Sequence, residues 1–285
     1  MAQEPDPPPS RALLLALLGN HWQGRDPHTD AGADLAAGTR TFVDVLGRAG
    51  VTEAAVRAAL GRAVTEGLLE RHRRGRHAYF SPTGDTRRLL AEGARRLHHD
   101  PPVRDDWDGS WTLLAYSLPE TRRDERHQLR RRLAWEGFGV LRDGLWIAPG
   151  RVDVGGLAAE LGVADDVHAF DGRAVAPTHA GGMVAETWDL GAIGSGYRDF
   201  LEQWDVPTPL PHATDDLARS LWLVIEWRQL VLEDPMLPAG LLPADWPASA
   251  ARDVFDSWYA RYESTAGSLF AQALDALLAQ PAPTR

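Results

Sequence analysis

The stretch between residues 39 and 80 constrains the fold more than any other part of this sequence, because signals for a helix, a tight turn, a second helix and a hairpin follow one another without a gap. Apolar residues at helical spacing predict a helix from Thr39 to about Arg48. Ala49-Gly50-Val51 is then a short turn, and Thr52 is a good N-cap for the next helix. That helix stops at Gly67 and carries an apolar stripe of Val56, Leu60, Ala63 and Val64.

Two short strands around a basic turn are predicted next. The strands are Leu68–His72 and His77–Phe80, and the turn between them is Arg73-Arg74-Gly75-Arg76. A helix from Arg11 to about Trp22 and a loop from Gly24 to Gly32 precede this region, and a further helix starts at Pro82-Thr83. Helix, helix, turn, helix and hairpin is the order of a winged helix-turn-helix, whose last helix enters the major groove of DNA.

The exposed side of the predicted third helix is suited to DNA. Arg57 flanks the apolar stripe, Arg62 lies opposite it, and small residues such as Ala58 let the helix approach base edges. The hairpin arginines lie where a wing would meet phosphates or a minor groove. The candidate DNA-binding residues are Thr52, Arg57, Ala58, Arg62, Arg71, Arg73, Arg74, Arg76 and Tyr79. A solvated basic face is the alternative, and the agreement of hairpin, turn and charge favours DNA binding.

Charge is distributed unevenly along the chain. The formal net charge is -10, yet residues 48–104 hold twelve Arg against six acidic residues, and the chain after residue 104 holds fifteen Arg against twenty-eight. A basic module beside acidic ones is expected when only the first binds nucleic acid. The absence of Lys is better explained by a GC-rich genome than by a preference for Arg at a binding site.

Residues 107–170 have a different periodicity. Strands are predicted at Trp111–Ser117, at Phe138–Leu141 and Leu145–Ala148 around Asp143-Gly144, and at Val167–Phe170, with helices at Arg122–Glu136 and Val154–Leu161. Strand, helix, strand, strand, helix, strand is the ferredoxin-like order.

The remaining residues are predicted to be helical, in segments near Trp188–Trp204, Thr214–Leu232 and Ala248–Ala279. Proline clusters at residues 98–102 and 207–211 mark linkers or loops. The chain is therefore predicted to be an α+β multidomain protein. Its parts are a disordered leader (1–9), a winged helix-turn-helix (10–100), a ferredoxin-like domain (105–180) and an all-helical C-terminal domain (186–285).

The order of several motifs resembles the PaaX family, the repressors of phenylacetic acid degradation operons. In the first domain the motifs are Gly50–Arg62 and Gly75–Gly84. Later in the chain they are Trp107–Trp111, Gly137–Gly139, Trp188–Leu190, Tyr197–Phe200, Glu226–Arg228, Asp234-Pro235, Leu241–Pro243 and Trp246.

This resemblance implies a homodimeric repressor that an aromatic acyl-CoA releases from double-stranded operator DNA. Glu226, Trp227 and Arg228 are the candidate effector-binding residues, since domain interfaces favour pockets and this motif offers an aromatic ring and a cation. Ile225 stands where the family usually has His, which implies that the effector differs from phenylacetyl-CoA if that His serves the ligand.

Two other classes of protein compete with this interpretation. The central domain also resembles CRISPR-associated metal-dependent nucleases, but Tyr116-Ser117-Leu118 ends the first strand without a carboxylate. A protein-interaction module with a degenerate helix-turn-helix is a third class, against which the retained arginines weigh. The chain has no cysteine and no His-Glu-x-x-His motif, so no metal, cofactor or catalytic residue is predicted. No apolar run near the start could span a bilayer, and a cytoplasmic location is expected.

Overall fold

The computed structural model describes residues 8–22, 36–210 and 213–278. Within them the chain is a mixed α+β protein with ten α-helices and two small antiparallel sheets, so the predicted fold class is confirmed at this level. The helices are α1 (Ser10–Leu17), α2 (Thr39–Arg48), α3 (Glu53–Thr65), α4 (Gly84–His98), α5 (Arg123–Trp135), α6 (Val154–Glu160), α7 (Ala180–Thr187), α8 (Leu190–Trp204), α9 (Asp216–Glu233) and α10 (Ala248–Leu278). The strands are β1 (Ala37–Gly38), β2 (Leu69–Arg74), β3 (His77–Pro82), β4 (Trp111–Tyr116), β5 (Gly139–Arg142), β6 (Leu145–Pro149) and β7 (Val167–Gly172).

The described chain forms two compact units. The first contains the described residues of 1–100, 202–229 and 253–285, and the second contains 101–201 and 230–252. Helices of the C-terminal region contribute to both units. The boundaries of the domains predicted above, at 10–100, 105–180 and 186–285, stay a prediction. Most of the predicted leader and all of the predicted loop Gly24–Gly32 lie outside the described residues.

Helices α2 and α3 form where local signals place them. The Thr52 hydroxyl accepts a hydrogen bond from the Ala55 N–H at 3.4 Å, as an N-cap should. The turn before it bends at Gly50, whose φ of +90° is costly for any residue with a Cβ. Helix α1 is shorter than predicted, because its last turn, Leu18–Trp22, is π-helical. Buried side chains join these helices: Leu13, Leu17, Phe42, Leu46, Val56 and Leu60.

The hairpin of β2 and β3 is regular. Arg74 pairs with His77 across a loop of Gly75 and Arg76, and Gly75 has a φ of +58°. Strand β1 pairs with β3, so β3 is the central strand of a three-stranded sheet. The Thr39 hydroxyl donates to the Ala78 carbonyl at 3.4 Å and ties the start of α2 to this sheet.

The second unit contains the predicted strand, helix, strand, strand, helix, strand order. Its sheet runs β5-β6-β4-β7 with every neighbouring pair antiparallel. One face packs against α5 and α6 through Leu114, Leu129, Leu133 and Leu157. The other face carries a second core around Trp111, Ile147, Met183 and Leu237. Two-sided burial of β4 and β6 fixes their register, because a one-residue slip would exchange the two cores.

Helices α8, α9 and α10 confirm the helical character of the C-terminal region. The segment predicted near Trp188–Trp204 is helix α8, which begins at Leu190. A separate helix, α7, precedes it and ends at Thr187, and this helix was not predicted from the sequence. Several tryptophans of this region are core residues, with Trp204 0% and Trp227 1% exposed. Core packing therefore accounts for much of the aromatic content that the sequence shows.

Candidate nucleic-acid interface

Helix α3 presents a flat face of small residues to solvent. Val56, Ala59, Leu60 and Ala63 are buried, whereas the opposite side consists of Ala54, Ala58, Gly61 and Thr65, all exposed. Short side chains allow the helix backbone to come close to another surface, such as the floor of a DNA groove.

Two arginines border this face. Arg57 and Arg62 are five residues apart, which separates them by about 140° around the helix axis, so they flank the small residues from opposite sides. Arg57 lies on the hairpin side, where its Nη2 atom is 2.7 Å from a Glu53 carboxylate oxygen. Arg62 lies on the side of α1, beside Arg11 and Glu66, which form their own ion pair. The structure thus places Arg57 and Arg62 on the two edges of one surface.

The hairpin arginines lie on β2 and on the loop that joins it to β3. Arg71, Arg73, Arg74 and Arg76 are all exposed, and no side-chain hydrogen bond or ion pair joins their guanidinium groups to another described residue. In each strand, alternate side chains point to opposite sides, so Arg71 and Arg73 share one side of β2 and Arg74 lies on the other. Unpaired guanidinium groups on a protruding hairpin are suited to phosphate contacts, because each is a charged donor set without a competing carboxylate.

A groove joins α3 to the hairpin. It has a volume of about 890 Å³ and is lined by Arg57, Arg71, Arg76 and Tyr79, four of the predicted residues. Thr52 caps α3 instead, and Ala58 belongs to the small-residue face. The groove also contains Arg40, which was not among the residues predicted from the sequence. Arg40 is exposed in the first turn of α2, and only the pairing of β1 with β3 brings that turn beside the hairpin.

The three candidate effector residues of α9 have different surroundings. The Trp227 indole N–H donates to the Leu97 carbonyl at 3.1 Å, and the ring stacks on Phe255 with centroids 4.8 Å apart. A Glu226 carboxylate oxygen accepts from the Trp204 indole N–H at 2.6 Å. Burial raises the pKa of Glu226, while this hydrogen bond acts in the opposite direction. Glu226 and Trp227 therefore have packing roles within the first unit, and their binding role stays a prediction.

Of these three residues, Arg228 is the one whose guanidinium N–H groups remain available to a ligand. It is half-buried, and no hydrogen bond or ion pair joins its guanidinium group to another described residue. Burial lowers the pKa of Arg228, and the nearby positive charge of Arg11 lowers it further. A desolvated cation without an anionic partner is costly, so a bound anion would stabilise it.

The strand end that would hold a metal in a nuclease has no carboxylate. Tyr116 ends β4, and its hydroxyl accepts from Nε of Arg130 at 2.7 Å. Glu125 pairs with Arg122 rather than with other acidic side chains. In the part of the chain that the structure describes, no three His, Asp or Glu side chains cluster so that they could hold a metal ion. None of the described helices is long and apolar enough to cross a membrane.

The fold and this surface define a class: an α+β protein that exposes an arginine-edged helix and an arginine-rich hairpin. Three family profiles match the chain, namely PaaX-like protein (residues 26–85), PaaX protein central Cas2-like domain (104–184) and PaaX-like protein C-terminal domain (188–272). The Transcriptional repressor PaaX of Escherichia coli is 32% identical over 225 residues, which cover 74% of this chain and 70% of that protein. The chain belongs to the PaaX family, and the resemblance inferred from the motifs is confirmed.

Among solved structures, one example of the same fold can be named. It is the uncharacterised protein Rv0674 from Mycobacterium tuberculosis, with 25% identity and a TM-score of 0.55. The similarity covers 94% of this chain and 98% of the other. The arrangement described above therefore recurs over nearly the whole length of a second protein.

Proposed function

We propose that this protein is a DNA-binding transcriptional repressor, in which α2, α3 and the β2–β3 hairpin form a winged helix-turn-helix. The observation that carries the proposal is the small-residue face of α3, bordered by Arg57 and Arg62 and flanked by hairpin arginines without carboxylate partners among the described residues. The repressor activity of the E. coli relative points in the same direction.

The dimensions of α3 suit a major groove. Its 13 residues span about 20 Å, and the groove of B-DNA, about 12 Å wide, admits one helix. With the small residues at the base edges, Arg57 and Arg62 are the side chains able to reach guanines on either side. The hairpin arginines then contact the adjacent backbone, which positions the helix without selecting a sequence.

A mobility-shift titration with the promoter upstream of the protein's own operon tests this proposal. We expect a discrete complex on this promoter that survives excess scrambled DNA of equal length. Equal affinity for the two DNAs would leave a charged surface without sequence recognition, and the repressor assignment would fail.

The proposal includes an aromatic acyl-CoA as the effector, held by its anionic groups at Arg228. Support comes from the half-buried guanidinium, which lacks a described partner, and from the aromatic side chains around the same stretch of α9. Ile225 replaces the polar residue usual in the family, so we expect an acyl group other than phenylacetyl to bind best.

Calorimetry with phenylacetyl-CoA and a series of aromatic thioesters tests the effector. We expect Arg228→Gln to weaken the best thioester, whereas Arg261→Gln, an exposed change on α10, leaves it unaffected. If no thioester of the series gives heat or a thermal shift, the effector assignment is wrong, whatever the result with DNA.

A homodimer in the cytoplasm completes the proposal, and no catalytic step is assigned to the chain. One winged helix reads few base pairs, and a two-fold dimer doubles the site and fixes the spacing of its halves. Light scattering of the full chain should give twice the monomer mass of 31.2 kDa.

A further inference from the structure

The four-stranded sheet of the second unit has two edges that differ sharply. Strand β5 forms one edge with four residues, and its pairing with β6 is interrupted by a bulge between Val140 and Arg142. Helix α7 packs against β5, and a side chain at Gly139 would clash with Thr187 and Trp188. A short, bulged and covered strand is a common way of preventing further pairing.

Strand β7 forms the other edge without such protection. Its six residues pair with β4 in unbroken register, from Val167 opposite Tyr116 to Gly172 opposite Trp111. Within the described residues no strand pairs with its outer side. The four central residues are exposed, and Phe170 is exposed to 64%. A long, regular edge that shows a large aromatic side chain is an expected site of strand pairing.

The direction of the backbone groups of β7 follows from its pairing with β4. Beyond β4 the Ser117 N–H donates to the Asp166 carbonyl at 3.0 Å, so the backbone groups of residue 166 face the neighbouring segment. In an antiparallel ladder this direction alternates, so His168 and Phe170 bond to β4, and Val167, Ala169 and Asp171 direct theirs outward.

From this pattern we propose that β7 pairs with β7 of a second copy, in an antiparallel ladder with its two-fold axis at Ala169. Only registers that oppose outward-directed residues form the ladder, and this one joins Val167 to Asp171 at both ends. It sets Phe170 opposite His168 of the second copy, at a non-hydrogen-bonded position where side chains approach most closely. The sheets of the two copies then become one eight-stranded sheet.

Charge favours a second copy over another occupant. In this register Arg173, just past β7, comes level with Asp165 of the other copy, just before β7, and both side chains are exposed. The two-fold axis repeats this opposite-charge pair at the other end of the ladder. Within its own chain Arg173 already pairs with Asp108 at 3.7 Å, a loose and exposed contact that it can exchange for Asp165. The inference rests on the homodimer of the proposed function and names the surface that forms it.

Sedimentation velocity of the full chain over a concentration series tests the ladder. We expect Phe170→Asp to raise the dimer dissociation constant by roughly 2-fold to 30-fold, because two aromatic cross-strand pairs are removed. Ala169→Pro should act at least as strongly, since it removes an outward N–H and leaves the bonds to β4 intact. The matched control is Val140→Asp on the β5 edge, where the side chain is 45% exposed and no change is expected.

A charge exchange tests the register. Asp165→Arg and Arg173→Asp should each weaken the dimer, and the double variant should recover most of the affinity. Circular dichroism checks that each variant is folded. A wild-type chain that stays monomeric at high concentration, or Phe170→Asp and Ala169→Pro dimers with the wild-type constant, overturns the proposal. If the wild type is monomeric, the exposed β7 edge is instead expected to pair with a strand of another protein.

Binding to a single half-site separates this inference from the repressor function. Monomeric variants should still bind half-site DNA through α3 and lose only the cooperative binding of the full site. Wild-type dimers that show no preference for promoter DNA would count against the repressor and leave the β7 ladder standing.

Discussion

The α3–hairpin region and helix α5 carry nearly the same charge and use it differently. Residues 53–76 hold six Arg and three acidic residues, and residues 120–136 hold six Arg and four acidic residues. Around α5, Arg122 pairs with Glu125 and Asp166, Arg126 with Glu120, and Arg132 with Glu136. In the α3–hairpin region only Arg57 has a carboxylate partner among the described residues.

This difference shows that partners, rather than arginine content, decide which basic surface can bind an anion. A guanidinium that already holds two carboxylates must give them up before it binds a phosphate, and that exchange gains little free energy. The pKa of Arg122 is raised by the hydrogen bonds to Glu125 and Asp166. Around α5 three of six arginines have a carboxylate partner among the described residues, against one of six in the α3–hairpin region. The α3–hairpin face is therefore expected to be the binding surface.

The largest loss of operator affinity is expected when either of the two arginines that border the small-residue face of α3 is replaced. Arg57→Ala or Arg62→Ala removes a bidentate contact to guanine worth ~1–3 kcal/mol, so operator affinity should fall by roughly 5-fold to 150-fold. Affinity for scrambled DNA should fall much less. Competition titrations measure both, with Arg123→Ala on α5 as a control expected to change neither. Unchanged operator preference in both α3 variants would reassign sequence recognition to another element.

A smaller loss of DNA affinity, similar for every DNA sequence, is expected from changes at the hairpin. Arg73→Gln or Arg76→Gln should weaken operator and scrambled DNA alike, since these side chains are expected to bind the DNA backbone. The slope of log affinity against log salt should decrease by about one for each phosphate that a protomer no longer neutralises. Titrations at several salt concentrations give this slope, and a hairpin change that abolishes operator preference would contradict the division of roles.

A change on α5 should affect stability and leave DNA binding intact. Arg122→Ala leaves Glu125 and Asp166 without their shared cation, so a small decrease in the melting temperature is expected. Arg131→Ala is the matched control, because Arg131 is exposed on the same helix and has no described partner. Differential scanning calorimetry measures the melting temperature of each variant, and a DNA titration measures its affinity. A marked decrease of DNA affinity in either variant would contradict the assignment of DNA binding to the α3–hairpin region and not to α5.

The smallest change in DNA affinity is expected from breaking the ion pair between Arg57 and Glu53 on α3. Glu53→Gln releases Arg57 and removes a negative charge from the groove, so DNA affinity should rise by about 0.3–0.5 kcal/mol, roughly twofold. The effect should disappear when Arg57→Ala is combined with it. Weaker binding by the single variant would mean that Glu53 positions Arg57 for DNA rather than competing with it.

Local signals account for the elements that were placed correctly from the sequence. The bounds predicted for α2 match Thr39–Arg48, and Thr52 caps α3, because helix periodicity and N-capping depend on residues a few positions apart. The π-helical turn Leu18–Trp22 was not predicted, for the opposite reason. Its buried residues are held by tertiary packing, as in the stacking of His21 on Phe270 at 5.2 Å, which no local pattern reports.

The candidate site shows the same limit. Arginines on α3 and on the hairpin could be named from helix and strand spacing, whereas Arg40 enters the groove only through the pairing of Ala37 with Phe80. Glu226 accepts a hydrogen bond from Trp204 and Trp227 donates one to Leu97, and both of these partners are distant in sequence.

The sequence by itself determined which elements form and which of them carry arginine, because spacing, capping residues and turn glycines act over a few residues. Only the tertiary structure decided which arginines remain available. Arg122 is neutralised by Asp166, a residue 44 positions away, while the hairpin arginines have no such partner among the described residues. It also decided that β7 is the open edge of its sheet and β5 the closed one. Ion pairing and edge protection depend on which distant segments meet in space, and the linear order of residues does not show that.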